Sequence, residues 1–177
     1  SLNDLMAWNA DQTRMPFRMH SEYLRHIFLG NELATGHYKV KGRSVAITDI
    51  HAPIFTVATE QDHVAPWRSV YKINLLADAD QVTFLLTSGG HNAGIVSEPG
   101  HGRRSYQMAC RTDQDRYIDP DTWQTTTPKQ QGSWWPAWQM WLGKHSAEHQ
   151  VLPPSIGASE KGLYPICEAP GTYVLQK

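Results

Sequence analysis

The sequence predicts an α/β fold, and three observations predict it. Two apolar runs, Ile54-Phe55-Thr56-Val57-Ala58 and Val82-Thr83-Phe84-Leu85-Leu86, have the length and uninterrupted apolar character of strands buried on both faces. Between them, Pro66-Trp67 opens a stretch of helical periodicity, with proline in the first turn, where a missing N–H costs nothing. Each strand is followed closely by ionisable residues: Asp62-His63 after the first, and Ser88-Gly89-Gly90-His91 after the second. A strand, a helix and a second strand form a βαβ unit with parallel strands, and open parallel sheets carry their chemistry just past the carboxyl ends of such strands.

Taken in order, the chain places this unit between less regular stretches. Residues 8–16 show no convincing period and read as an ordered loop. Ser21 reads as the cap of a helix that brings Leu24, Ile27 and Phe28 to one face and ends near Gly30-Asn31. Tyr38-Lys39-Val40 and Val45-Ala46-Ile47 flank Lys41-Gly42 as two short extended pieces about a turn. In the helix after Asp62, the residues Trp67, Val70, Tyr71, Asn74 and Leu75 share one face. Beyond Gly94 the proline and glycine content rises, and the chain reads as loop as far as Thr127. Gly132-Ser133 then opens a helix carrying Trp134, Trp135, Trp138, Trp141 and Leu142 as a stripe. Residues 152–162 have linker composition, and Tyr173-Val174-Leu175 is expected as a last strand.

Composition narrows the function classes. With 177 residues, 40% of them hydrophobic and 19% charged, the chain is of ordinary single-domain size and globular character. A formal net charge of −1 gives no reason to expect nucleic acid or anionic lipid as a partner. No apolar run approaches the roughly 20 residues that span a bilayer. The start has no basic-then-apolar secretory leader, and the two cysteines, Cys110 and Cys167, make no disulfide framework, so a reducing cytoplasm is the expected location.

Several side chains invite a functional reading, and each has a plain alternative. An acid near a helix start is favourable by roughly 0.3–1 kcal/mol, so Asp62 can be a cap. His91 can be a loop histidine with a backbone partner. Together they are more informative, because an acid and then a histidine past adjacent strand ends repeat the second half of the chain order nucleophile, Asp/Glu, His of α/β-hydrolases. No nucleophile on a strand–turn–helix elbow precedes them: Gly42-Arg43-Ser44-Val45-Ala46 is followed by an extended segment. Cys110 lacks flanking glycines and follows His91, as a structural thiol would. His145-Ser146-Ala147-Glu148-His149 has the H-x-x-E-H spacing of a zinc site, but with no third ligand it reads as a polar helix end. Asp113, Asp115, Asp119 and Asp121 lack the glycine and glutamate of a calcium loop and read as a solvated loop. The tryptophan stripe reads as core, with a docking surface as the minority alternative. No metal site or cofactor is expected.

Block by block, the chain resembles the carboxyl-terminal part of the polyhydroxyalkanoate synthases. The resemblance is carried by Trp8-Asn9-Ala10-Asp11 with Thr13 and Pro16, then by Tyr23-Leu24-Arg25 with Asn31 and Leu33. It continues through Asp62-His63-Val64-Ala65-Pro66-Trp67 and Ser88-Gly89-Gly90-His91-Asn92-Ala93-Gly94-Ile95-Val96. It ends with Gly132-Ser133-Trp134-Trp135, Trp138 and Ala169-Pro170-Gly171-Thr172-Tyr173-Val174. The D-H-x-x-P-W and G-H-x-A-G blocks are specific as a pair.

The resemblance implies an acyltransferase that polymerises hydroxyacyl-CoA into polyester with release of CoA. It implies Asp62 as catalytic aspartate, His91 as catalytic histidine and His63 as an accessory histidine. The family's nucleophile, a cysteine in a G-x-C-x-G turn, falls upstream of Ser1, so this chain is expected to be inactive alone. The implied fold is the C-terminal part of an α/β-hydrolase with an incomplete sheet. Residues 1–35 would close a cap region, 36–131 would carry the Asp and His of the core, and 132–177 would form a tryptophan-rich helix and tail. The implied partners are hydroxyacyl-CoA, the growing polyester and the amino-terminal part of the enzyme, in the cytoplasm or at the granule surface; the exposed edge of so small a parallel sheet should pair with that amino-terminal part or with a second copy. One departure stands out: Ser-Gly-Gly-His has a glycine more than the Ser-Gly-His of the family. Another esterase or thioesterase, or a non-catalytic interaction domain, are the competing readings.

Overall fold

The structure is a computed structural model that describes residues 2–11, 14–100 and 102–172. Two compact units divide it, Ser1–Gln139 and Met140–Lys177.

The first unit begins with helix α1 (Leu2–Ala10) and helix α2 (Phe17–Glu22), which widens into a π-helical stretch, Tyr23–Leu29. Strands β1 (Tyr38–Val40) and β2 (Arg43–Val45) then form an antiparallel hairpin. Strand β3 (Ile54–Thr59), the single turns α3 (Trp67–Val70) and α4 (Ile73–Leu76), and strand β4 (Gln81–Thr87) form the predicted strand–helix–strand unit. Strand β5 (Ser105–Thr112), helix α5 (Pro120–Thr126), strand β6 (Lys129–Gln131) and helix α6 (Trp135–Lys144) complete the series, α6 running across the unit boundary.

The main sheet has the order β3-β4-β5-β6. Strand β3 pairs parallel to β4, with Ile54 opposite Val82 and Thr59 opposite Thr87. Strand β5 runs antiparallel to β4, and β6 antiparallel to β5. The fold is therefore mixed α/β on a mixed sheet.

Strand β4 is central, and residues 82–87 are all buried, as a strand covered on both faces requires. Alternation splits its side chains between two cores. Phe84 and Leu86 meet Trp67, Tyr71 and Trp123 on one face, while Leu85 meets Tyr106, Trp134 and Ala137 on the other. Phe84 holds Tyr71 edge-on at 4.8 Å and Trp123 at 5.1 Å between ring centroids. Each such side chain taken from water contributes about 1.5–3 kcal/mol, so the strand carrying His91 at its end is the most firmly held in the sheet.

Several expectations are corrected. Residues 8–10 lie in α1 rather than in loop. The helix expected from Ser21 starts earlier, because Pro16 at φ −54° presets its first turn. The Gly30 N–H donates to the Arg25 carbonyl at 2.8 Å; this i→i+5 bond shifts the helical phase and leaves Leu24 and Phe28 exposed. The helix after Asp62 breaks at Tyr71-Lys72 into α3 and α4, which turns Leu75 outward while Ile73 packs against the core. The β1–β2 hairpin forms about the expected turn, Lys41 and Gly42 both at positive φ, 50° and 79°, the geometry of a type I′ turn, but its second strand is Arg43–Val45 rather than Val45-Ala46-Ile47, because Ile47 opens a 3₁₀ turn, Ile47–Asp49.

The loop expected between Gly94 and Thr127 contains β5 and α5. Ser105 and Gln107 break any apolar alternation, yet both are buried. Gln107 is satisfied there because its Nε2 donates to the carbonyls of Gln124 at 2.7 Å and Thr127 at 2.6 Å, as burial of a polar group demands. Two of the acidic residues expected in a solvated loop have local duties. Asp119 caps α5 by accepting from Asp121 N and Thr122 N, and Asp115 accepts from Thr112 N. Tyr173-Val174-Leu175 lies outside the described residues.

The second unit holds the end of α6 and a short 3₁₀ turn, Ser159–Lys161, closed by an Ala158–Leu163 bridge. His145, in the H-x-x-E-H stretch, places Nδ1 2.8 Å from the Trp141 carbonyl. No helix of the described residues is long and apolar enough to cross a membrane.

Candidate active site

Past the ends of β3 and β4 the two chains stay hydrogen-bonded. Glu60 N donates to the Thr87 carbonyl at 2.9 Å, and Gln61 N donates to the Gly89 carbonyl at 3.0 Å. The next residue is Asp62, whose side chain is only 8% exposed. Its Oδ1 accepts from Val64 N at 2.9 Å and Ala65 N at 2.8 Å, a local turn that delivers the chain to Pro66 and α3. Its Oδ2 accepts from Thr59 Oγ1 at 3.3 Å and stands 2.8 Å from His91 Nδ1. Asp62 is not the cap of the following helix, whose N-cap is Pro66; one carboxylate oxygen holds the turn before that helix and the other meets the histidine.

Burial alone would raise the Asp62 pKa. The Ala65 N–H, the His91 ring and the Val64 N–H outweigh burial and bring it down to about 2. The carboxylate is therefore ionised at neutral pH and can only accept, so the hydrogen between the two side chains is carried on His91 Nδ1. A neutral imidazole in that tautomer keeps its lone pair on Nε2. His91 is 45% exposed, so a proton donor can approach it.

The loop between Ser88 and Gly94 is shaped by its glycines. Gly89 sits at φ 106°, and a Cβ there would lie 2.6 Å from Arg104 Nη1. At Gly94 a Cβ would lie 2.5 Å from Thr59 Cγ2, so the absence of a side chain lets the loop settle on the end of β3. Gly94 N donates to the Gly90 carbonyl at 2.8 Å, closing a turn around residues 91–93. Gly90 heads that turn, and His91 meets Asp62 with both glycines of Ser-Gly-Gly-His in place.

Of the three residues singled out in the sequence, Asp62 and His91 are together and His63 is not with them. His63 is exposed on the turn after Asp62, and no hydrogen bond ties its ring among the described residues. Sequence reasoning missed Thr59, the second donor to Oδ2, and the amide pair in which Asn92 Nδ2 donates to Asn9 Oδ1 at 2.8 Å. That pair joins α1 to the His91 loop; the one available signal was that both asparagines fall in blocks carrying the family resemblance. Among the described residues no group of three or more His, Cys, Asp or Glu is placed to hold a metal ion. A buried carboxylate orienting an imidazole with a free Nε2 can take a proton from an O–H or S–H and return it.

No protein-family model matches the chain. Curated proteins do. It is 38% identical over 171 residues to the poly(3-hydroxyalkanoate) polymerase subunit PhaC of Rhizobium meliloti, a match covering 97% of this chain and 26% of that protein. It is 35% identical over 175 residues to the poly(3-hydroxyalkanoate) polymerase of Methylorubrum extorquens, covering 98% of this chain and 28% of that one. With the PhaC subunit of Cupriavidus necator it shares 33% identity over 176 residues, again 98% of this chain and 28% of the relative. The chain thus spans about a quarter of the length of the curated relatives it matches. Over nearly its whole length the chain is a homologue of the C-terminal portion of poly(3-hydroxyalkanoate) polymerases.

Proposed function

We propose that this chain supplies the acid–base half of an acyl-transfer site that polymerises hydroxyacyl-CoA into polyester and releases CoA. The observation that carries the proposal is the 2.8 Å contact between Asp62 Oδ2 and His91 Nδ1 past the ends of two parallel strands. In this reading the sheet is the C-terminal part of an α/β-hydrolase core, with β3 at its edge continued by strands outside the chain. The nucleophile is a cysteine thiol outside residues 1–177.

The chemistry follows from the free Nε2. A cysteine thiol is mostly protonated at neutral pH, and its thiolate is the reactive form. His91 Nε2 accepts the thiol proton as sulfur attacks the thioester carbonyl, then hands it to the departing CoA sulfur, so that CoA leaves as a thiol and the Nε2 lone pair is restored. The same nitrogen then takes the proton from the hydroxyl of the next hydroxyacyl unit as that oxygen attacks the enzyme-bound acyl group, and returns it to the cysteine sulfur as the acyl–sulfur bond breaks. Asp62 holds the imidazole in the required tautomer and stabilises the imidazolium; loss of the equivalent carboxylate in a serine protease costs about 10⁴ in rate.

The test is a chimera in which this chain replaces the matching C-terminal portion of the Rhizobium meliloti polymerase. CoA release from hydroxybutyryl-CoA is then followed with and without His91→Ala. The active chimera should lose turnover with His91→Ala while its folding transition is retained. Unaltered CoA release from the His91→Ala chimera would overturn the assignment.

A further inference from the structure

We infer that Trp134 and Trp135 are positioning residues for His91, acting through the backbone of the loop that carries it. The inference rests on the reading of His91 as the proton acceptor and names what holds that residue in place. Three consecutive side chains at the start of α6 each donate to a carbonyl of residues 94–97. Trp134 Nε1 reaches the Gly94 oxygen at 3.2 Å, Trp135 Nε1 reaches the Ile95 oxygen at 2.9 Å, and Ser133 Oγ binds the Ser97 oxygen. These contacts join positions about 40 residues apart in sequence.

The donors are themselves fixed. Trp134 is 5% exposed and packs with Leu85, Tyr106 and Ala137 on the sheet. Ser133 Oγ also accepts from Trp135 N at 3.1 Å, which holds the two indoles in register. Trp135 is half-buried beside the same core.

The held segment is the stem of the catalytic loop. Ile95 N and Val96 N donate to the Asn92 carbonyl at 3.1 and 3.0 Å, and Gly94 N donates to the Gly90 carbonyl. Residues 94–96 therefore close the turn that presents His91. Gly94 also lies against Thr59, the residue whose hydroxyl donates to Asp62 Oδ2. Fixing the Gly94 and Ile95 carbonyls fixes the separation between the imidazole and its carboxylate. A buried indole N–H finding a single carbonyl is ordinary; two adjacent indoles taking successive carbonyls of one functional loop is a clamp.

Trp134→Phe and Trp135→Phe remove the indole N–H and keep an aromatic ring. Displacement of a reacting group by about 1 Å costs on the order of 10²-fold in rate. In the chimera, kcat should therefore fall by roughly tenfold to 10²-fold for each variant, with KM for hydroxybutyryl-CoA unchanged. In the 177-residue chain, ¹⁵N NMR of the imidazoles should show His91 losing its uniform Nδ1–H state in both variants. His91→Ala run in parallel separates the two claims: if it leaves turnover intact, the acid–base reading fails and the NMR result alone decides the clamp. If Trp134→Phe does not fold, Trp135→Phe, which alters a half-buried ring, carries the test. A folded Trp135→Phe with unchanged kcat and an unchanged His91 tautomer overturns the inference.

Discussion

The amide of Gln61 donates to the carbonyl of Gly89 at 3.0 Å, so the loop bearing Asp62 and the loop bearing His91 are joined one residue before the first and two before the second. The carboxylate–imidazole pair is therefore a continuation of the parallel ladder between β3 and β4, not a chance meeting of two long loops. The pairing depends on strands whose own stability comes from the cores on either face of β4.

The depressed pKa of Asp62 makes stability pH-dependent. Its folded value of about 2 lies below the ordinary value of 3.8, so between these values the unfolded chain binds more protons. The contribution is complete above about pH 4 and is lost as pH falls toward 2, and a shift of this size amounts to about 2 kcal/mol. Urea unfolding of the parent chain and Asp62→Asn at pH 6 and pH 2 checks it. The difference in stability between them should shrink by about that amount at the lower pH.

Asp62→Asn also reverses the hydrogen bond to the ring. The amide oxygen can still serve Val64 N and Ala65 N, which places the NH₂ toward His91 and makes Nδ1 the acceptor. The hydrogen then moves to Nε2, the nitrogen proposed to act as the base. In the chimera, CoA release should fall by up to about 10⁴-fold with little change in KM. ¹⁵N NMR of the 177-residue chain should show the Nε2–H tautomer at His91, and an Nδ1–H tautomer there would refute the account.

Gly94→Ala places a methyl 2.5 Å from Thr59 Cγ2 and 3.0 Å from the Gly90 carbonyl. Overpacking of this kind costs about 1–3 kcal/mol, and here it also pushes the loop away from β3. Adding Thr59→Ser removes the closest atom while keeping the hydroxyl that faces Asp62. The double variant should recover part of the lost stability, though not all, because the Gly90 carbonyl remains. Thermal unfolding of the parent, the single variants and the double variant measures the coupling.

How much of this was legible in the sequence depended on how local the cause was. The β3 and β4 strands were read from uninterrupted apolar runs, and Asp62 and His91 from their places past the strand ends. Strand β5 was not, because its burial is set by neighbours: Gln107 is in the core only since Gln124 and Thr127 present carbonyls to it. The phase of the helix after Pro16 was missed because a π-type bond at Gly30 leaves no apolar signature. The tryptophan stripe as a whole reads as core, but of its residues Trp134 alone is buried while Trp138 and Leu142 are exposed, and the partners of the Trp134 and Trp135 N–H groups depend on a loop 40 residues earlier. The Asn9–Asn92 pair, 83 residues apart, belongs to the same class of long-range polar contact.

The two thiols of the chain give a last test of where the nucleophile lies. Cys110 is exposed on β5 opposite Thr83, near the start of β4, whereas His91 follows that strand's far end. Four strand positions separate Thr83 from Thr87, roughly 13 Å at about 3.3 Å per residue, so Cys110 is far out of reach of the imidazole before the loop is even counted. Cys167 lies in the second unit and is likewise exposed and free. The 177-residue chain incubated with hydroxybutyryl-CoA should therefore show no sustained release of free CoA, and alkylating both cysteines should change nothing. In the chimera, by contrast, alkylation of a cysteine outside this chain should stop turnover, while Cys110→Ser and Cys167→Ser leave it within about twofold, since surface substitutions away from a site shift energies by about 0.5 kcal/mol or less. Sustained CoA release by the chain alone, abolished by Cys110→Ser, would place the nucleophile inside these residues and undo the division of labour proposed for the site.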